Sequence, residues 1–181
     1  LVVFGRAAGI EVERALNEGI DSVKQNKSMA DAALARYYHW DKNKKGESLY
    51  KVRSEMKKIM QQDFGVFRTG ESMEQGLKQL LELKSRLSDA ALADHSMAFN
   101  TARIDALELD NLLAVALATA YSANYRTETR GAHAREDFPE HDNENWLVHS
   151  LYYAKDHQTC KREVNMKPDS VEAFKVKERI Y

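Results

Sequence analysis

The residues between positions 126 and 146 include an unusual concentration of side chains that could do chemistry. Arg130, His133, Arg135 and Asp137 fall within eight positions of one another. A histidine beside carboxylates could serve general acid–base catalysis, which needs a positioned proton carrier next to a substrate pocket. The chain shows no second group of residues that would hold a substrate. Because buried charges are tolerated only when they are paired, the sequence favours a docking role, in which these groups pair with one another and with a surface outside the chain.

The histidines and the cysteine do not form the pattern of a metal site. His133, His141, His149 and His157 recur every eight residues, a period that neither a helix nor a strand would gather at one point. No His-x-x-His or His-x-x-x-His pair is present, and Cys160 has no second thiol. Glycine-rich phosphate motifs and the Gly-x-Ser-x-Gly elbow are also missing from the sequence. We therefore assign no catalytic, cofactor-binding or metal-binding residue to this chain.

The composition excludes two further classes of function. A formal net charge of -1 over 181 residues, with lysines and arginines scattered among acids, gives no field to gather nucleic acid. No apolar run approaches the roughly 20 residues that a bilayer-spanning helix needs. With one cysteine the chain can form no internal disulfide. We expect no nucleic-acid partner.

The apolar spacing of the first 47 residues predicts two helices. The first, over 1–18, carries Gly5 and Gly9 on one face, which would permit close backbone approach but has no partner in this sequence. Its start is apolar, uncapped and without Met, so we expect the chain to be the tail of a longer protein. The second helix, over 29–41, is predicted to bury one side, formed by Ala33, Leu34, Tyr37, Tyr38 and Trp40.

Three longer helices are predicted next, and together they indicate an antiparallel bundle. One begins after the N-cap candidate Ser48 and runs to about residue 64, one spans 71–88, and one spans 100–127. In the last, Asn100 can cap the helix while Phe99 and Ile104 form a hydrophobic staple. Short connections favour an up-down-up arrangement. The predicted apolar stripes are Leu49, Val52, Met56, Ile59, Met60 and Phe64; Met73, Leu77, Leu80, Leu81 and Leu87; and Ala102, Ala106, Leu109, Leu113, Ala116, Ala120 and Ala123.

After the loop the apolar period changes to two. Residues 146–153 and 159–165 are predicted to form two strands around a turn, and residues 166–181 an extended tail in which Pro168 interrupts any helix. The expected fold is mainly α: an antiparallel three-helix bundle with an N-terminal helical remnant and a small C-terminal β-hairpin. The predicted division is 1–47, 48–127 and 128–181.

Several stretches of the chain resemble one enzyme family. The loop motif together with Asn145-Trp146 is similar to the C-terminal signature of succinate dehydrogenase flavoprotein subunits. His141 and Asn143 depart from the Arg and Asp usual in that signature, whereas Phe138-Pro139 and the acidic run resemble a dehydrogenase more than a fumarate reductase. The loop runs directly into Asn145-Trp146-Leu147 without the insertion of mitochondrial forms, which resembles bacterial enzymes. The loop motif is Arg130-Gly131-Ala132-His133-Ala134-Arg135-Glu136-Asp137-Phe138-Pro139; the other matching stretches are 1–9, Phe67-Arg68, Phe99-Asn100-Thr101, 107–112, 164–168 and the spacing of Lys177, Arg179 and Tyr181.

The resemblance implies a function for the intact subunit. Such a subunit would oxidise succinate to fumarate with FAD and pass electrons through an iron–sulfur subunit to quinone. Membrane-anchor subunits would hold it at the cytoplasmic face of the bacterial inner membrane. Residues 1–47 would contain the end of the flavin domain and linker helices, and the residues of the catalytic site would lie upstream. By itself the chain would bind no flavin and be inactive, with Arg130, His133, Arg135 and Asp137 docking the bundle onto the flavin domain.

Two alternatives stay open at this point. The chain could be the corresponding part of a fumarate reductase flavoprotein. It could instead be a free-standing helical module that binds another protein through the alanine-rich seam or the loop.

Overall fold

Helices and two pairs of short strands make up the described part of the chain. The computed structural model describes residues 1–20, 26–167, 172–173 and 175–177. Two compact units are present, Leu1–Tyr38 and His39–Tyr181. In chain order the elements are α1 (Val2–Asn17), α2 (Lys27–Tyr38), a 3-10 turn (His39–Asp41), α3 (Leu49–Asp63), β1 (Phe67–Arg68), α4 (Gly70–Ser88), α5 (Thr101–Tyr125), β2 (Ala134–Arg135), α6 (Asn143–Trp146), β3 (Val148–Tyr153) and β4 (Gln158–Glu163).

The first unit consists of two helices without a buried residue. Helix α1 has no side-chain cap at Leu1, and Arg14 forms ion pairs with Glu11 and Glu18 on its surface. Its apolar side chains are exposed. The predicted buried side of α2 is wrong, because no residue of that helix is buried and only Trp40, in the following 3-10 turn, enters the core. Leu34 and Tyr38 keep 53% and 47% of their exposure.

The three-helix bundle predicted for the second unit is confirmed. Helix α4 packs against both α3 and α5. The α5 seam is buried except for Ala102, which is partly exposed. In α4 the buried face includes Leu83 rather than the predicted Leu81, since helical periodicity places residue 83 with Leu80 and Leu87. Gly76 allows α4 to approach the end of α3, because a Cβ there would lie 2.5 Å from the ring of Phe64.

The start of α5 differs in one respect from the prediction. Asn100 is the cap, and its side chain accepts a hydrogen bond from the Arg103 N–H at 2.8 Å. The predicted staple is wrong, since Phe99 and Ile104 are both exposed. Phe99 has a φ of 50°, a left-handed conformation, and its side chain does not pack on the helix. The helix start is held instead by the Asn100 amide, which donates to the carbonyl oxygens of Asp94 and Ser96.

The C-terminal hairpin is present with shifted bounds. Strands β3 and β4 pair antiparallel, with Val148 opposite Glu163 and Tyr153 opposite Gln158. Trp146 was predicted in the first strand but ends the short helix α6. Asp142 caps that helix by accepting from the backbone and side-chain N–H groups of Asn145. In the tail, the described residues 166–167, 172–173 and 175–177 form neither helix nor strand; Pro168, Arg179 and Tyr181 lie outside the described residues.

Candidate functional site

The loop between α5 and β3 (residues 126–146, here called the signature loop) is fastened to the bundle through a short parallel strand pair. In it, β2 pairs with β1, so that Phe67 lies opposite Ala134 and Arg68 opposite Arg135. The Glu136 N–H donates to the Arg68 carbonyl oxygen at 2.9 Å. A tight turn precedes β2, with two backbone hydrogen bonds between Arg130 and His133 and a φ of 59° at Gly131. The loop is therefore ordered by contacts far apart in sequence.

Glu128 lies at the centre of the loop and is fully buried. One carboxylate oxygen accepts from the Arg126 guanidinium at 2.6 Å and from Arg130 Nε at 2.8 Å. The other accepts from Arg130 at 2.9 Å and from the Asp142 N–H at 3.0 Å. Burial by itself would raise the pKa of Glu128, but these hydrogen bonds from Arg130, Arg126 and Asp142 outweigh it and lower the pKa to about 2. Glu128 is thus a permanent anion that holds two guanidinium groups.

Arg126 connects this centre to the hairpin. Its guanidinium donates to the carbonyl oxygen of Val148 at 3.0 Å and to the Ser150 hydroxyl at 2.9 Å. It also donates to the Trp146 carbonyl oxygen and lies 5.1 Å from the centre of the Trp146 ring. The buried indole in turn donates from Nε1 to the Thr127 hydroxyl at 3.1 Å. These contacts fix the loop, α6 and β3 to one another.

A second ion pair connects the loop to the start of α4. Arg135, almost fully buried, donates from Nε and from its terminal nitrogen to the two oxygens of Asp137, at 2.7 and 2.6 Å. The Gly70 N–H, in the first turn of α4, donates to the same carboxylate at 2.8 Å. Hydrogen bonds from Arg135 and Gly70 lower the pKa of Asp137 to about 2, against the opposing effect of burial. A carboxylate at this position also interacts favourably with the helix dipole.

His133 is half-buried between two groups that fix its protonation. The Arg68 guanidinium lies 2.9 Å from Nδ1, and the Arg126 carbonyl oxygen lies 3.3 Å from Nε2. Since arginine can only donate and a carbonyl can only accept, the ring is neutral with its proton on Nε2. Burial, together with the nearby charges of Arg68, Arg135 and Arg126, lowers the pKa of His133. The ring therefore serves here as a hydrogen-bonding link between β1 and the start of the loop.

His133 does not line either of two cavities in the described structure. A shallow depression of about 240 Å³ follows the loop and is lined by Thr127 and residues 137–142. A larger cavity of about 650 Å³ lies at the start of α3, lined among others by Ser48, Tyr50 and Leu92. Within the described ranges, no cluster of three or more His, Cys, Asp or Glu side chains is arranged to hold a metal ion.

The sequence of the chain matches a known protein family. A family model described as the C-terminal part of the fumarate reductase flavoprotein matches residues 53–181, more than half of the chain. The chain belongs to the succinate dehydrogenase/fumarate reductase flavoprotein family. The resemblance seen in the sequence is thereby confirmed.

Relatives of known function within this family cover the chain almost completely. The succinate dehydrogenase flavoprotein subunit of Coxiella burnetii is 49% identical over 99% of the chain, and the mitochondrial subunit of Oryza sativa is 36% identical over all of it. The fumarate reductase flavoprotein subunit of a Serratia strain is 40% identical over 84%. The chain spans 30% of the length of the Coxiella subunit and 29% of the Oryza subunit.

Solved structures of the family share the fold. The E. coli quinol fumarate reductase superposes with a TM-score of 0.79 at 33% identity, covering 96% of this chain and 30% of that one. The Mycobacterium smegmatis Sdh1 complex in its apo form gives a TM-score of 0.80 at 27% identity, covering 93% and 30%.

All four residues that the sequence singled out in this flavoprotein chain form polar contacts in the signature loop, but in three separate sets. Arg130 belongs to the Glu128 centre, Arg135 and Asp137 form the pair at α4, and His133 bonds to Arg68. Sequence reasoning missed Arg126, Glu128 and Arg68. A signal for the first two was available, because the alternation Arg126, Glu128, Arg130 places all three on one side of an extended segment.

Proposed function

We propose that this chain is the C-terminal part of a bacterial succinate dehydrogenase flavoprotein subunit, in which it acts as a docking scaffold. The observation that carries the proposal is the 49% identity to the Coxiella burnetii succinate dehydrogenase flavoprotein over 99% of the chain, a stretch that makes up 30% of that subunit. A free-standing interaction module fits less well, since these relatives contain a similar sequence within a subunit about three times as long.

The whole polypeptide would oxidise succinate to fumarate and pass electrons through FAD and an iron–sulfur subunit to quinone. This proposal is supported by relatives that are succinate dehydrogenase flavoprotein subunits, and by the Sdh1 and quinol fumarate reductase structures of the family. In the part of the chain that the structure describes, no helix has the length and apolarity to cross a bilayer. We propose that the subunit is held at the cytoplasmic face of the inner membrane by the iron–sulfur and membrane-anchor subunits.

The residues of this chain do not fit a flavin site. Dinucleotides are held where a glycine-rich turn joins a strand to a helix, with the pyrophosphate at the helix N-terminus. The sequence has no Gly-x-Gly-x-x-Gly motif, and the parallel strands of the described region, β1 and β2, are two residues each. We therefore place the FAD in the part of the polypeptide that precedes this chain, with the chemical step there as well.

The signature loop would dock the bundle onto the flavin domain through Arg130, His133, Arg135 and Asp137. What supports this role is that the charges of the loop hold one another in fixed positions, which presents a rigid outer surface. Arg130 can also reach outward, because its side chain keeps 29% of its exposure and, among the described residues, it hydrogen-bonds only Asn143 besides Glu128.

The proposal is tested with the full-length polypeptide produced together with its partner subunits. Succinate-dependent reduction of a quinone analogue and stoichiometric flavin are expected. Arg130→Ala should lower the thermal midpoint and the retained flavin, and by more in the full-length protein than in the 181-residue chain, because docking is lost in addition to the Glu128 contact. Asn143→Ala is the matched control, since it removes only the exposed partner of Arg130. An active enzyme whose stability and flavin content do not change in Arg130→Ala would contradict the docking role.

A fumarate reductase is the second candidate, favoured by the 40% identity to the Serratia subunit and by the E. coli structure. The rates of succinate oxidation and fumarate reduction, measured on the same preparation, distinguish the two. A dehydrogenase should be faster in the oxidative direction, and a preparation much faster in the reductive direction would support the second candidate.

A further inference from the structure

Arg68 is unlike the other arginines of the signature-loop network. It ends β1, and its guanidinium donates to the Gly65 carbonyl oxygen and to His133 Nδ1, each at 2.9 Å. These bonds use two of its five N–H donors. Neither acceptor is a carboxylate, and among the described residues Arg68 forms no ion pair. Its side chain is partly buried, and that burial lowers the pKa of the guanidinium.

The charges around Arg68 do not balance. Arg126 and Arg130 share Glu128, the charge of Asp142 also acts on Arg130, and Arg135 is paired with Asp137, so four guanidinium groups including Arg68 face three carboxylates. His133, which bonds to Arg68 and to the Arg126 carbonyl oxygen, is neutral and does not change this balance. A partly buried cation without a counter-ion is costly. An additional carboxylate beside Arg68 would remove that cost.

The residues next to Arg68 are apolar and exposed. Val66 and Phe67 keep 67% and 69% of their exposure, although Phe67 lies in a strand pair that joins two parts of the fold. Phe67 and Arg68 follow one another in β1, and aromatic residues and arginine are enriched among the energetically dominant residues in protein interfaces. Val66, Phe67, Arg68 and His133 are called the Arg68 patch below.

We infer that the Arg68 patch receives an aspartate or glutamate side chain from the part of the same polypeptide that precedes this chain, with apolar neighbours covering Val66 and Phe67. The inference rests on the proposed function, in which the chain is about 30% of a longer subunit. Excess positive charge selects a carboxylate as the occupant. A carboxylate of the same polypeptide is present at high effective concentration as soon as the subunit folds, whereas one from a separate subunit arrives only on assembly.

The test uses the full-length flavoprotein assembled with its partner subunits, carrying Arg68→Lys, and a zero-length carbodiimide cross-linker. This reagent joins an amine to a carboxylate only when the two are in ion-pair contact. A cross-link is expected between position 68 and a peptide that precedes this chain. Wild type is the matched control, because arginine does not react. The Lys51–Glu47 pair, 3.2 Å apart, should be cross-linked in both proteins and reports the coupling efficiency.

Several outcomes overturn the inference. A link from position 68 only to the iron–sulfur subunit would show that the occupant is a different chain, and no link at position 68 while Lys51–Glu47 forms would show that no carboxylate is there. If Arg68→Lys does not fold, hydroxyl-radical labelling of Phe67 in wild type decides. We expect several-fold less labelling in the folded full-length protein than in urea, and equal labelling overturns the inference. Flavin content and succinate oxidation of wild type report the proposed function separately.

Discussion

Replacing Glu128 by glutamine should destabilise the fold strongly, because it removes the carboxylate with which both Arg126 and Arg130 form ion pairs. The lowering of the Glu128 pKa from an ordinary value near 4.5 to about 2 corresponds to about 3 kcal/mol of stabilisation at neutral pH. Breaking a buried ion pair on one side costs about 3–5 kcal/mol. Arg126 and Arg130 keep 15% and 29% of their side-chain exposure, so water recovers part of that loss. We expect Glu128→Gln to cost about 3 kcal/mol.

The assay is urea unfolding of the chain, followed by the fluorescence of its two buried tryptophans, Trp40 and Trp146. Glu144→Gln, on an exposed loop carboxylate, is the control. The folded pKa of Glu128 lies below its unfolded value, so its stabilisation is present above about pH 4.5 and disappears as the pH falls towards 2. The difference between wild type and variant should shrink over that range. A loss below about 0.5 kcal/mol at neutral pH, or a difference that stays constant down to pH 2, would refute the reasoning.

Three further predictions concern packing, charge and cofactor. Gly76→Ala should cost about 1–3 kcal/mol in urea unfolding, because the new Cβ would overlap the end of α3, whereas Gly5→Ala, where the described structure leaves open space, should be neutral or slightly stabilising. Asp137→Asn should lower the free energy of unfolding by about 2–4 kcal/mol at neutral pH, and by progressively less between pH 4 and 2. The control Glu136→Gln should change it little, and equal effects of the two substitutions would contradict the pairing of Asp137 with Arg135. The purified 181-residue chain should be colourless and should not oxidise succinate; copurifying flavin absorbance would disprove the assignment of the cofactor to the preceding residues.

Helical periodicity predicted the bundle because it is a local property of the sequence. Apolar residues spaced three and four positions apart in α5 predicted its buried seam, and the position of Asn100 before the helix predicted that it is the cap. Details that depend on backbone conformation were not predictable in this way. Because Phe99 has a left-handed φ, its side chain does not form the expected staple. Because Asp142 caps α6, Trp146 belongs to that helix and not to the strand.

Four residues of the candidate site were singled out from the sequence, but Arg126, Glu128 and Arg68 were not, and neither were the contacts. Residue types in the loop identified Arg130, Arg135 and Asp137, because such groups require partners when they are buried. Arg130 and Arg135 pair with carboxylates only two residues away, Glu128 and Asp137. The contacts that fasten the loop to the bundle are distant in sequence: the Gly70 N–H that binds Asp137 is 67 residues away, and Arg68 is 65 residues from His133. A strand pair of two residues on each side carries no usable periodicity, so β1 and β2 could not be seen before the fold was known.

We propose that this chain lies against the remainder of a flavoprotein subunit. Hydrogen–deuterium exchange, compared peptide by peptide between the 181-residue chain and the full-length subunit, tests it most directly at α1. No residue of α1 is buried in the structure of the chain, and its apolar side chains are exposed. We expect amide exchange in α1 to be about tenfold or more slower in the full-length subunit, because burial suppresses local opening. Equal exchange rates in the two proteins would contradict it.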